Sequence, residues 1–205
     1  MVEAAQDKNN NIPQIKIILL GEQGVGKTNL INVSIGKEFE ETSSTLITNY
    51  STKDITIDGK EYRLNLWDTV GQEKFRSLTK MFYSNSKIII LVYDKSAKET
   101  FDKLSFWVEE IKNIKDNDYV LAVVGNKEDL EDKKSDVNEN EAQNYANSIN
   151  AKFRLVSAKC DRRGFIQFIR ELVKEYLVKN KIIPDENRRI TIDKIKLKEK
   201  KSCKC

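Results

Sequence analysis

The chain contains no histidine among its 205 residues. That removes the commonest general base and the commonest metal ligand, and with them any Ser-His-Asp or Cys-His site. Cysteine is scarce as well: Cys160 stands alone and Cys203 and Cys205 sit near the end, so there is no disulfide framework. Proline occurs twice, and no low-complexity tract or internal repeat is visible. The longest apolar runs are about half a dozen residues, against the roughly 18 a membrane-spanning helix needs. The opening MVEAAQDKNNNIPQ has no apolar signal core. Together these absences predict a soluble, cytosolic chain.

What is present is charge. Charged residues make up 33% of the chain and apolar residues 39%, with a net charge of +4. Residues 184–205 carry eight Lys or Arg against four Asp or Glu, and residues 1–183 carry 28 of each sign. The neutral body argues against nucleic-acid binding, whereas a basic tail suits a membrane surface. The length predicts one domain with an appendage. We divide the chain into a flexible leader over 1–12, a domain over 13–183 and a basic tail over 184–205, and read it as a monomer.

Four β-branched apolar runs, Ile15–Leu20, Lys87–Tyr93, Tyr119–Gly125 and Lys152–Val156, resemble buried parallel strands. Between them lie helix-patterned stretches near Thr28–Gly36, Thr100–Lys115, Glu139–Asn150 and Arg163–Val178. Two alternating runs, Asn49–Ile57 and Glu61–Trp67, flank Asp58-Gly59, a strong hairpin signal. The pattern predicts a doubly wound α/β fold: a mostly parallel six-stranded sheet with one antiparallel edge strand and helices on both faces.

Gly21-Glu-Gln-Gly-Val-Gly-Lys-Thr28 follows the first strand and opens the first helix. It matches G-x-x-x-x-G-K-[ST], in which glycines let successive backbone N–H groups surround a phosphate at a helix N-terminus. Gly24, Val25 and Gly26 are the predicted cradle. Lys27 can reach the outer phosphates, and the Thr28 hydroxyl can ligate Mg²⁺. Asn126-Lys-Glu-Asp129 follows another strand at the edge where open α/β sheets bind ligands. A carboxylate at Asp129 can accept from guanine N1–H and its amino group, a donor pair adenine lacks. Lys127 can lie along the purine plane, Asn126 can tie the loop down, and Ser157-Ala158-Lys159 can complete the pocket through the Ala158 N–H. Alone, N-K-x-D is a weak signal; paired with the phosphate loop it becomes specific.

A third block, Trp67-Asp-Thr-Val-Gly-Gln-Glu73, ends a strand. Asp68 can hold a Mg²⁺-bound water, Gly71 can present its N–H to the terminal phosphate, and Gln72 can orient the attacking water. Thr45, 17 residues past Thr28, lies in a Ser/Thr-rich loop and can close onto the metal when the terminal phosphate is present.

Together these blocks resemble the Ras superfamily of small GTPases, and most of all its Rab branch. WDTVGQEKFRSL at Trp67–Leu78 is similar to the Rab switch II pattern, and Cys203-Lys204-Cys205 resembles a Rab prenylation signal. An Arf-type glycine at position 2, a Rho-type insert after Asp129 and a Ran-type acidic end are missing. The resemblance implies a switch between GTP and GDP in which the γ-phosphate orders two loops. It implies an effector-facing aromatic triad of Tyr50, Trp67 and Phe82, and Phe39 packed against guanine. It further implies exchange factors, activating proteins, a prenyl-binding chaperone, and residence on the cytoplasmic face of an intracellular membrane in vesicle traffic.

The sequence departs from the family pattern at four places. Gln23 stands where a smaller residue is usual, and Val70 replaces Ala in D-T-A-G-Q. The segment from Phe39 to Thr45 is one residue short and lacks the usual tyrosine, and Ile47 stands where glycine is expected. All four lie on the γ-phosphate side. Slow GTP hydrolysis is the leading expectation. A GTP-dependent binding module with negligible hydrolysis is the alternative, and a P-loop nucleoside kinase fits less well because no Arg-rich lid is visible.

Overall fold

The computed structural model describes residues 12–40, 45, 49–69, 84–112, 118–130 and 137–184. Six strands form one sheet: β1 (Gln14–Leu20), β2 (Asn49–Ile57), β3 (Lys60–Asp68), β4 (Ile88–Asp94), β5 (Val120–Asn126) and β6 (Lys152–Leu155). Their spatial order is β2-β3-β1-β4-β5-β6. Only the β2–β3 pair is antiparallel. Among the described residues the helices are α1 (Lys27–Ser34), α2 (Lys98–Asp102), α3 (Leu104–Lys112), α4 (Glu139–Ser148) and α5 (Arg162–Lys179). This is the doubly wound sheet that the strand–helix alternation predicts, with β2 as the antiparallel edge.

Side-chain alternation along the strands builds two cores, one on each face. Ile17 and Leu19 of β1 join Ile90 and Val92 of β4 under Leu30 of α1 and Phe165, Ile169 and Val173 of α5. Ile18 and Leu20 join Ile89, Leu91 and Tyr93 on the opposite face, under Phe101, Leu104, Trp107, Ala142 and Ala146. β4 lies between β1 and β5 with helices on both sides, so all seven of its residues are buried. Helix α3 buries Leu104, Trp107, Val108 and Ile111, the i, i+3, i+4, i+7 stripe of an amphipathic helix.

The helix expected from Thr100 to Lys115 is instead two pieces. The first ends at Asp102, and the second begins at Leu104. The intervening Lys103 reaches back to Glu22 of the β1–α1 loop, 3.1 Å away. The hairpin turns at Asp58 (φ 48°) and Gly59 (φ 76°), both positive as a two-residue type I′ turn requires. Its register pairs Ile57 with Lys60 at the turn and Asn49 with Asp68 at the open end. The exposed edge is occupied by charge, with Arg63 making two 2.8 Å bonds to Asp54 on the neighbouring strand.

The helix after β1 covers one face of the sheet, while those after β4 and β5 cover the other. The faces change at β1, and open sheets of this kind bind ligands at such a switch, outside the C-terminal ends of the strands. Among the described residues no helix is long and apolar enough to cross a membrane.

Candidate nucleotide site

The loop from β1 into α1 is built for an anion. Gly26 has φ +91°, and a Cβ there would lie 2.3 Å from Asn126 Nδ2. Backbone conformation and space therefore both demand glycine. Helices α4 and α5 cap their first turns with Asn138 and Asp161, which accept from Asn140 N–H at 2.9 Å and Gly164 N–H at 2.8 Å. Helix α1 has neither a side-chain cap nor an acidic residue in its first turn, leaving that turn to an external acceptor.

Lys27 is the first residue of α1 and is only 5% exposed. Its ammonium donates to the carbonyl oxygens of Gly21 and Glu22, both at 2.9 Å, using two of its three donors. Burial lowers its pKa to about 8, against the opposing pull of Asp68 and Glu22. The Glu22 carboxylate is in turn paired with Lys103, so the phosphate loop is fastened to the α2–α3 joint.

At the next residue, the Thr28 hydroxyl donates to Asp68 Oδ2 at 2.7 Å and lies 2.8 Å from the Thr45 hydroxyl. Three predicted metal-site residues, drawn from α1, a loop and the end of β3, thus converge. Among the described residues, Asp68 Oδ1 is buried with no hydrogen-bond partner. Burial raises the Asp68 pKa, opposed by the Thr28 hydrogen bond, Lys27 and Thr45. An all-oxygen donor set with an orphaned carboxylate oxygen suits a hard cation such as Mg²⁺. Thr69, next to Asp68, is pinned by its hydroxyl to the Leu19 carbonyl at 2.7 Å.

The second group gathers around Asn126, the last residue of β5. Its amide nitrogen donates to the Val25 carbonyl at 2.9 Å, and its amide oxygen accepts from Ala158 N–H at 3.1 Å. One side chain joins the phosphate loop to both loops expected at the base. The Ala158 N–H, expected to face a base, here donates to Asn126. Ser157 donates to Asp129 Oδ1 and accepts from Cys160 N–H at 2.9 Å; a carboxylate still has lone pairs for further donors. Lys127 has φ +64°, and its ammonium lies 2.6 Å from Asp94 Oδ2. Lys159 lies in the turn beside Ala158. Phe39 is half-buried and packs against the core under α1 and α5.

Gly71 and Gln72 fall outside the described residues, as do Val70, Phe82, Cys203 and Cys205. Of the aromatic triad, Tyr50 and Trp67 are neighbours across β2 and β3, stacked with ring centroids 5.2 Å apart. Tyr50 is 55% exposed. The ammonium of Lys16 sits 4.7 Å from the Trp67 ring centroid. Sequence reasoning missed Glu22, Lys103 and Asp94. A signal existed for Asp94: a carboxylate ends an apolar central strand at the edge where ligands bind.

The Ras family profile matches residues 16–178. The Rab-21 protein of Mus musculus is 39% identical over 163 residues, covering 79% of this chain and 72% of that protein. Rab-21 of the sponge Geodia cydonium is 37% identical over 166 residues, covering 80% and 72%. RabG2 of Dictyostelium discoideum is 38% identical over 144 residues, covering 70% and 73%. The chain belongs to the Rab family of Ras-type small GTPases. This GTPase is therefore a guanine-nucleotide-binding GTP hydrolase, and the two clusters of loops at the C-terminal edge of its sheet are its candidate nucleotide site.

The lowered Lys27 pKa gives a pH test. In the folded, nucleotide-free protein Lys27 loses its proton near pH 8, whereas in the unfolded chain it does so near the ordinary 10.5. Between these values the unfolded chain binds more protons, so the Lys27 contribution to stability rises with pH, by at most about 1.4 kcal/mol per unit. Denaturant unfolding of nucleotide-free wild type and Lys27→Met at pH 7.5 to 9.5 measures it. The wild type should gain on the variant as pH rises; a constant difference would refute the assignment.

Proposed function

We propose that the chain is a Mg²⁺-dependent GTP/GDP switch that hydrolyses GTP slowly and acts at an intracellular membrane in vesicle traffic. The observation that carries the reading is the Asn126 side chain, bonded at once to Val25 of the phosphate loop and Ala158 of the base loop. Such a tie is useful only if one ligand occupies both sites. A nucleoside polyphosphate, with a base at one end and phosphates at the other, has that form.

In this reading the backbone N–H groups of Gly24, Val25, Gly26 and Lys27 surround the phosphates, and the Lys27 ammonium neutralises the outer ones. Thr28 and Thr45 would hold the divalent cation through their hydroxyls, and Asp68 would hold a water bound to it. When bound, Mg²⁺ supplies positive charge at the phosphate oxygens. Gly71 offers its N–H to the γ-phosphate and Gln72 orients the attacking water. Asp129 reads guanine, Lys127 and Phe39 flank its ring, and Ser157, Ala158 and Lys159 close the pocket. The Thr45–Thr28 contact supports a loop that closes over the metal, and its release after hydrolysis is the switching event. Tyr50, Trp67 and Phe82 present the state of the switch to effectors. Exchange factors, activating proteins and a prenyl-binding chaperone act on the same protein.

Guanine selectivity should rest on Asp129. Loss of two charge-assisted hydrogen bonds, each worth about 1.5–3 kcal/mol, should weaken GTP binding in Asp129→Asn by about 10²–10⁴-fold, while xanthosine triphosphate binding appears. Wild-type GTP affinity in this variant would disprove the base-pocket assignment.

Hydrolysis should be slow: Gln23 stands where the family carries a smaller residue and Val70 where it carries Ala, and the added bulk would crowd Gln72 and an activating arginine, worth about 10³–10⁵ in rate. Single-turnover assays should find Gln23→Ser with Val70→Ala faster than wild type and Gln72→Leu slower. An unchanged double variant would eliminate crowding as the cause.

The tail should anchor the protein. The segment that ends in Cys203 and Cys205 also carries Lys194, Lys196, Lys198, Lys200, Lys201 and Lys204. Two lipid chains, or one with basic residues, hold a protein at a membrane where a single chain binds only marginally. Fractionation should find Cys203→Ser, Cys205→Ser in the cytosol, and persistent membrane association would contradict lipidation of these cysteines.

A further inference from the structure

We propose that Asp94 is a positioning residue of the guanine site, acting through Lys127; the inference rests on the nucleotide-site reading above. Asp94 is the last residue of β4 and pairs in register with Asn126, the residue immediately before Lys127. It is 7% exposed, so its carboxylate is held away from water and must be satisfied by the protein. Oδ2 lies 2.6 Å from the Lys127 ammonium. Oδ1 accepts from the Ser96 N–H at 2.9 Å and the Ser96 hydroxyl at 2.7 Å. The Asp94 N–H donates to the Thr100 hydroxyl at 2.9 Å, and Lys95 N–H continues the ladder onto the Asn126 carbonyl at 2.9 Å. The carboxylate is therefore fixed from the turn after β4, and the backbone that carries it is fixed from β5 and α2.

Lys127 is fixed at its other end. Its φ of +64° is a left-handed conformation that a lysine rarely adopts. Neighbouring bonds hold it there: Leu130 N–H donates to the Lys127 carbonyl at 2.9 Å, and Glu128 N–H to the Val156 carbonyl at 3.2 Å. The flexible four-carbon stem of Lys127 is thus stretched between a fixed backbone and a fixed carboxylate. A stem held in place before the base arrives loses less rotamer entropy on stacking than a free one. Asp94 needs no contact with the nucleotide to have this effect.

The isosteric amide separates charge and geometry from packing. Ser96 offers two donors to Oδ1, and Lys127 offers a donor to Oδ2. An asparagine has one acceptor oxygen and one donor nitrogen, so it satisfies Ser96 or Lys127, never both. Asp94→Asn should leave the strand in place and release the Lys127 head.

The test is a double-mutant cycle on the dissociation rate of fluorescently labelled GDP, chased with excess GDP, in the full chain. Asp94→Asn should speed release about tenfold, the scale of one charge-assisted hydrogen bond. Lys127→Met should speed it at least as much, and the double variant should release no faster than Lys127→Met alone. The stem stacks on the ring and does not read its edge, so the ratio of GDP to inosine diphosphate release should stay at the wild-type value in Asp94→Asn. Ser96→Ala, which removes one anchor of the carboxylate, should give a smaller increase that also vanishes in the Lys127→Met background. This second variant keeps the test decisive should Asp94→Asn not fold. Multiplying effects in either cycle would overturn the role of Asp94 and leave the guanine-site reading intact. Wild-type release from Lys127→Met would overturn both.

Discussion

The Asn126 amide is the bond on which the rest of the site depends. It reaches from the end of β5 across the mouth of β4 to the Val25 carbonyl, and it accepts from Ala158 beyond β6. A primary amide can serve because it has both a donor end and an acceptor end. A carboxylate could not donate to Val25, and an ammonium could not accept from Ala158. Gly26 must be a glycine because the amide nitrogen occupies the space a Cβ would need. Three loops separated widely in sequence are thereby held as one rim. The strand order places them side by side, and the amide fixes their spacing.

Behind that rim the protein keeps several charges out of water. Lys27, Glu22, Asp68 and Asp94 are all buried, and buried charge is costly unless paired. Two of the four are compensated by neighbours, Glu22 by Lys103 and Asp94 by Lys127. The other two are poised differently. Lys27 leans on backbone carbonyls and has a depressed pKa, while Asp68 has a raised pKa and an oxygen without a hydrogen-bond partner among the described residues. A phosphate beside Lys27 and a cation beside Asp68 would relieve both. Buried charge of this kind favours binding of a ligand that brings the opposite charges. The same logic explains why a group of such low pKa belongs at a helix start with no cap of its own.

Much of this was legible in the sequence because short-range chemistry dictated it. The phosphate loop, the Asp58-Gly59 turn and the apolar run Ile88–Tyr93 of β4 each announce themselves within a few residues. The meeting of Thr28, Thr45 and Asp68 was legible too, since each follows from what a metal-bound phosphate needs. Glu22, Lys103 and Asp94 were not. Their roles arise from contacts 81 and 33 positions along the chain, fixed by sheet order and register, and a charged residue in a charged chain carries no mark of its future partner. The single helix expected from Thr100 failed for a related reason. Periodicity reports an apolar stripe, which continues through the joint, and does not report a break at one exposed lysine.

The hairpin of β2 and β3 has a mechanical meaning. At nine residues per strand it is a ribbon about 30 Å long, joined by unbroken register from Ile57–Lys60 to Asn49–Asp68. The segments containing Thr45 and Gln72 leave it from the same end, one before Asn49 and the other after Asp68. Two ropes tied to the two ends of one rung cannot be pulled independently at their knots. Thr28, bonded to both Thr45 and Asp68, joins Thr45 to the end of β3, and the stacked rings of Tyr50 and Trp67 ride on the very next rung.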